Sequence, residues 1–205
     1  MTTENTKKSW FDFNPSWDRL LEDLKPQKIL EIGCFKGETT CYLLQKLSGQ
    51  GNIEIDCVDP WEDYTEPGGQ NMKDIEKQFD TNLKAALQNY PAKVQKYKAK
   101  SDFVLPDLLA SRSKKYDLIY VDGSHFGADV LFDAVMAFKL CNVGGTIIFD
   151  DYLWAVVFDY QNGTHGVNLS MSPKIAIDTF TTLYWDKLKI IPAPLYQIVV
   201  RKISD

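Results

Sequence analysis

Residues 28–39 read KILEIGCFKGET, and the fold of the whole chain follows from them. KILEI is a short apolar, partly β-branched run that stops at Gly33, the pattern of a buried strand. Over 37–48 the period changes: Cys41, Leu43, Leu44 and Leu47 share one helical face. Gly33 and Gly37 sit in the turn between the two. There a missing Cβ lets a ligand approach the backbone closely.

Working outward, the same alternation recurs. NIEIDCVD (52–59) reads as a second strand, and 71–89 as a helix striped by Met72, Ile75, Phe79, Leu83, Ala86 and Leu87. Residues 93–99 form a weaker strand, 102–111 a short helix, YDLIYVD (116–122) a strongly apolar strand and 127–140 a helix. GGTIIFD (144–150) is the next strand, 173–184 a helix, and strands near 187–191 and 195–202 close the chain. Upstream, Trp17, Leu20, Leu21 and Leu24 predict an amphipathic helix over 15–24, ended by Pro26. Strands alternating with helices predict a doubly wound, Rossmann-like α/β sheet of seven strands, mainly parallel. The last two strands are joined across Pro192–Pro194, too short for a helical crossover, so they form an antiparallel C-terminal hairpin. We expect one domain over 1–205, with 1–26 as an N-terminal helical segment. Its Trp10, Phe11, Phe13 and Trp17 read equally well as an aromatic lid or as core.

Composition bounds what this domain does. The 205 residues carry 23 basic and 28 acidic side chains, a net charge of −5, which argues against nucleic acid as a partner. No run approaches the roughly 18 apolar residues of a membrane span, and MTTENTKKSWFDF lacks the apolar core of an export signal. Cys34, Cys41, Cys57 and Cys141 show no metal-type spacing, which reads as a reducing, cytoplasmic setting. A homo-oligomer is left open.

Ligands of open α/β sheets bind beyond the carboxyl ends of the strands, so the residues after each strand are the candidates. Asp59 ends the second strand, where an acid can grip ribose hydroxyls. The G-x-G-x-x-G dinucleotide fingerprint is absent, and Glu38 in the first turn of the helix would repel a pyrophosphate bound there. A nucleoside without phosphate, such as S-adenosylmethionine, fits better than a nicotinamide dinucleotide. Asp122, Asp150 and Asp151 end the fourth and fifth strands. Gathered, three carboxylates need protons or a cation, and oxygen ligation suits Mg²⁺, Mn²⁺ or Ca²⁺. Kept apart, they cap loops. Asp150 and Asp151 can serve one ion only if the strand ends between them and the body of the sheet. His125, in a Gly-Ser turn, is either a base or a helix cap. Trp61 and Trp154 either wall the pocket or anchor the core.

These residues resemble the class I S-adenosylmethionine-dependent methyltransferases over roughly 27–202. ILEIGCFKGETT resembles their first motif, which implies cofactor contacts at Glu31, Gly33 and Gly37. Asp59 in CVDPW matches the ribose-binding acid, Ser101-Asp102 stands where adenine is contacted, and Asp122 also borders the cofactor. Within the superfamily the chain is similar to metal-dependent O-methyltransferases of the catechol type and to bacterial enzymes acting on sugars and other small molecules. That resemblance implies a divalent cation on Asp122, Asp150 and Asp151 and catalysis by His125 with Asp122. The catechol enzymes usually have Asp-Asn and a lysine base at these positions; this chain has Asp151 and His125. The implied reaction moves a methyl group to a hydroxyl of a small molecule. A metal-independent enzyme or a non-catalytic cofactor-binding module are the alternatives, and loops 61–72 and 151–172 would set the acceptor.

Overall fold

Strand β1 (Lys28–Ile32) runs through the middle of the sheet, buried from Ile29 onward, Glu31 included. The computed structural model describes residues 15–62, 71–154, 172–194 and 196–205. Helix α1 (Pro15–Leu24) precedes β1 and α2 (Glu38–Lys46) follows it. Then come β2 (Glu54–Val58), α3 (Met72–Asn89), β3 (Lys93–Tyr97), α4 (Ser101–Ser111), β4 (Tyr116–Val121) and α5 (Gly127–Leu140). The chain ends with β5 (Cys141–Phe149), α6 (Pro173–Leu183), β6 (Leu188–Ile191) and β7 (Ile198–Lys202).

The seven strands lie in the order β3-β2-β1-β4-β5-β7-β6. β1 pairs in parallel with both β2 and β4, and β7 runs antiparallel to β5 and β6. The Rossmann-like sheet and its terminal hairpin are thus those the sequence predicts. One boundary moves. β5 starts at Cys141 rather than at Gly144, because Cys141 pairs with Tyr116 before the register shifts.

Alternation along the strands divides the core in two. Leu30, Ile32, Ile119, Val121, Ile147 and Phe149 pack under α4, α5 and α6. Ile29, Ile55, Leu118, Tyr120, Ile148 and Val199 face α1, α2 and α3. A buried cation, Lys202, is tolerated because its Nζ donates to the carbonyls of Phe138 and Cys141, where the dipole of α5 ends. None of the described helices is long and apolar enough to cross a membrane. The four cysteines are free thiols, all but Cys41 buried.

Helix α1 docks through Trp17, whose indole meets the Tyr120 ring edge-on at 5.1 Å and donates from Nε1 to Gln197 Oε1 at 2.8 Å. Trp17 therefore belongs to the core. Trp10, Phe11 and Phe13 lie outside the described residues. Trp17 is 1% exposed and Trp185 75%, which gives a matched test. Trp17→Ala should lower unfolding stability by about 3–5 kcal/mol, and Trp185→Ala should leave it within about 0.5 kcal/mol of wild type, both read by chemical denaturation.

Candidate active site

The chain leaves β1 towards β2 and β3 on one side and returns through β4 to the other, so the switch in strand order falls between β1 and β4. A cavity of about 370 Å³ opens there, lined by Gly33, Cys34 and Phe35 after β1, Tyr120 of β4 and Asp122 just beyond it, and Asp150 and Asp151 after β5. Two backbone bonds draw this end of the sheet together. Gly33 N–H donates to the Val58 carbonyl at 2.9 Å, and Asp122 N–H to the Ile32 carbonyl at 2.8 Å. Gly33 has φ +85°, and a Cβ there would overlap the Asp122 carbonyl oxygen, so the position demands glycine twice over. Gly37, with φ +77°, precedes α2 and lies against the Phe79 ring, where a Cβ would come within 2.8 Å.

Beyond the end of β5, Asp151 takes a left-handed φ of +53°. That turn breaks strand alternation, so Asp150 and Asp151 both line the cavity. Asp151 N–H donates to Asp150 Oδ1 at 2.8 Å, and Asp151 Oδ2 lies 2.8 Å from His125 Nε2. The His125 ring stacks on Trp154 with centroids 4.4 Å apart. Asp122, Asp151 and His125 each bring one donor atom to within 4.8 Å of the other two. Asp150 is occupied differently: its Oδ2 accepts from Gln197 Nε2 at 2.9 Å and from the Tyr120 hydroxyl. Tyr120 also stands 3.0 Å from Asp122 Oδ2. One phenolic proton cannot serve both carboxylates, so a second proton or a cation must share the site. Burial, followed by mutual repulsion, accordingly drives the Asp122 carboxyl well above the usual range. Burial likewise raises Asp150.

The family profile described as a methyltransferase domain matches residues 30–152, more than half of the chain. The chain belongs to this methyltransferase family. No curated protein matches it in sequence. Several solved structures are similar in fold. The O-methyltransferase TomG from Streptomyces achromogenes, involved in tomaymycin synthesis and solved with S-adenosylmethionine, superposes with a TM-score of 0.62 at 15% identity. The match covers 91% of this chain and 78% of that one. An O-methyltransferase from Bacillus cereus, solved with S-adenosylhomocysteine, gives 0.60 at 18% identity over 95% and 84% of the two chains. MycE of the mycinamycin pathway, solved with Mg, S-adenosylhomocysteine and mycinamycin VI, gives 0.58 at 18% identity over 96% and 51%.

Within this methyltransferase the other sequence candidates take varied positions. Asp59, expected to face ribose hydroxyls, is 3% exposed and clasps the β1–α2 loop. Its Oδ2 accepts from the N–H groups of Cys34 and Phe35 at 2.9 Å, and its Oδ1 from Trp61 N–H at 2.7 Å. Loop N–H groups lacking helix or sheet partners take the nearest acceptor. Trp61 is a buried anchor, packed on Phe79 and donating to the Phe35 carbonyl. Ser101 is the first residue of α4, and Asp102 is exposed on its first turn; neither lines the cavity. Glu31 lies opposite Tyr120 across β1 and β4 but does not line the cavity; it accepts from Thr40 Oγ1 at 2.5 Å and its Oε1 is unpartnered. His165 and most of loops 61–72 and 151–172 lie outside the described residues. The sequence reading missed Tyr120 and Gln197. Tyr120 had a signal, since a residue two before Asp122 on a strand shares its face; Gln197 had none.

Burial raises the Glu31 pKa from 4.5 to about 8. A carboxyl raised on folding contributes stability below its unfolded pKa and loses it as pH rises through the folded value. Glu31→Gln should therefore gain stability relative to wild type between pH 4.5 and about 8. Denaturation curves taken across that window test this, and a pH-independent difference would show that Glu31 folds already ionised.

Proposed function

We propose that this methyltransferase transfers the methyl group of S-adenosylmethionine to a hydroxyl of a small molecule, assisted by a divalent cation. The observation that carries the reading is the convergence of Asp122, Asp151 and His125 beside the Gly33 loop at the strand-order switch. The O-methyltransferases of like fold, two of them solved with the cofactor or its demethylated product, support the donor and the oxygen acceptor. The Mg in MycE supports a cation.

The residues fit both groups. Gly33, Cys34 and Phe35 line the cavity that a nucleoside would occupy, and the carboxylates crowded around Tyr120 supply negative charge that a cation would relieve. Asp122 and Asp151 are the proposed anionic ligands and His125 the third donor. Asp150 is held to one side by Gln197 and Tyr120. A cation bound there would hold the acceptor oxygen and lower its pKa. An imidazole in the set favours Mn²⁺ more than an all-oxygen site does. The cavity must align that oxygen in line with the methyl–sulfur bond; the C–O bond forms as C–S breaks, and the hydroxyl proton leaves to a base.

A second reading keeps His125 as that base, with Asp150 completing the ligand set. The contact between Nε2 and Asp151 favours it, because a carboxylate can orient the imidazole for proton transfer. His125→Ala separates the two. As a ligand, its loss should weaken Mn²⁺ binding at least about tenfold by calorimetry. As a base, its loss should lower kcat by about 10²–10⁴ and leave Mn²⁺ affinity unchanged.

Chelation tests the cation in both readings. Excess chelator should abolish turnover and spare cofactor binding, and added Mg²⁺ or Mn²⁺ should restore the rate. Full activity in chelator, with no metal found by elemental analysis, would sink the cation and spare the methyl transfer.

A further inference from the structure

Two of the chain's three arginines, Arg19 and Arg201, open with Lys189 into one groove of about 640 Å³ between α1 and the β6–β7 edge of the sheet. The groove shares no lining residue with the cavity at the strand-order switch. Its one acid is Asp23, so its lining carries net positive charge on a chain of net −5. Among the described residues, none of the three cations forms an ion pair.

The sheet register makes this arrangement costly for the protein alone. Lys189 lies directly opposite Arg201 across β6 and β7. On the other side, Thr146 of β5 lies opposite Arg201, so the three side chains form a row on the face that α1 covers. Like charges directly opposed across strands repel, with no carboxylate between them. Arg201 Nε is buried without a hydrogen-bond partner, and so is Thr146 Oγ1. A buried donor left unpaired is unusual in a folded protein and calls for an explanation. A guanidinium fork with free N–H groups matches phosphate and carboxylate oxygens. Leu20, Ile191 and Pro192 supply an apolar side to the same groove.

We propose that this groove is a second ligand site, taking a small polyanion whose phosphate or carboxylate oxygens are received by Arg201 and Lys189, with Arg19 closing from α1. The anion relieves the cross-strand repulsion. The proposal stands independently of the methyl-transfer reading.

The test is calorimetry on the whole protein at low ionic strength, with inorganic pyrophosphate and citrate as separate probes. We expect saturable one-site binding of at least one probe. Pyrophosphate alone would assign a phosphate ligand, and citrate alone a polycarboxylate. Arg201→Gln and Lys189→Gln should each weaken that binding at least about tenfold and leave S-adenosylmethionine binding as in wild type. Lys189 is exposed on the edge strand, so its variant keeps the test available if Arg201→Gln misfolds. Absence of saturable binding by either probe, or equal affinity in Lys189→Gln, overturns the proposal.

Discussion

The loop after β1 crosses the end of β4 so closely that position 33 has no room for a side chain. Much of the site depends on that crossing. It puts the backbone of residues 33–35 beside Asp122 and joins the ends of β1, β2 and β4 by main-chain hydrogen bonds. Asp59 completes the arrangement from the end of β2, spending its carboxylate on the N–H groups of the same loop. A loop fixed from both sides presents its backbone to a ligand without having to reorganise, which is how a scaffold keeps a binding site preorganised.

The electrostatics of the site follow from the topology. Parallel strands end together, so the acids after β4 and β5 meet at the carboxyl end of the sheet. The Tyr120 hydroxyl lies between two of these acids and can donate to only one. The polar chain continues outward from there: Asp150 accepts from Gln197, and Gln197 accepts from the Trp17 indole of α1. The helix that covers one face of the sheet is thus hydrogen-bonded, through two side chains, to the carboxylates that crowd the cavity. Removing any link would leave a polar atom unpaired in a half-buried place, the expensive half of hydrogen-bond energetics.

Relatives of like fold at 15–18% identity share the sheet and little else that a sequence comparison can align. A fold of this kind supports many chemistries through the loops beyond its strands. In this chain those loops pair His125 with Asp151 at the site, and a positively lined groove runs along the β6–β7 edge of the sheet. The two regions differ in the sign of the charge that lines them, and α1 forms one wall of the groove.

The order of strands and helices was legible in the sequence because period and burial are local: KILEI, YDLIYV and TIIF are apolar runs that only a covered sheet accommodates. The acids at 122, 150 and 151 could be placed at strand ends by the same logic. Their partners could not. Asp150 and Asp151 share the cavity because residue 151 adopts φ +53°, a single torsion that no periodicity encodes. Asp59 sits at the predicted strand end, yet its oxygens go to loop amides whose need for an acceptor exists only once the loop is folded over it. Glu31 belongs to the expected motif and lies opposite Tyr120 across the sheet, but its carboxyl is taken by Thr40 of α2 beside two cysteines. Gln197 lies 47 residues from Asp150 and meets it only because β7 returns beside β5. The sequence determined which elements form and which face each buries, because those depend on neighbours along the chain. The tertiary structure decided which polar groups pair, because that depends on competition among donors and acceptors brought together only by the completed sheet.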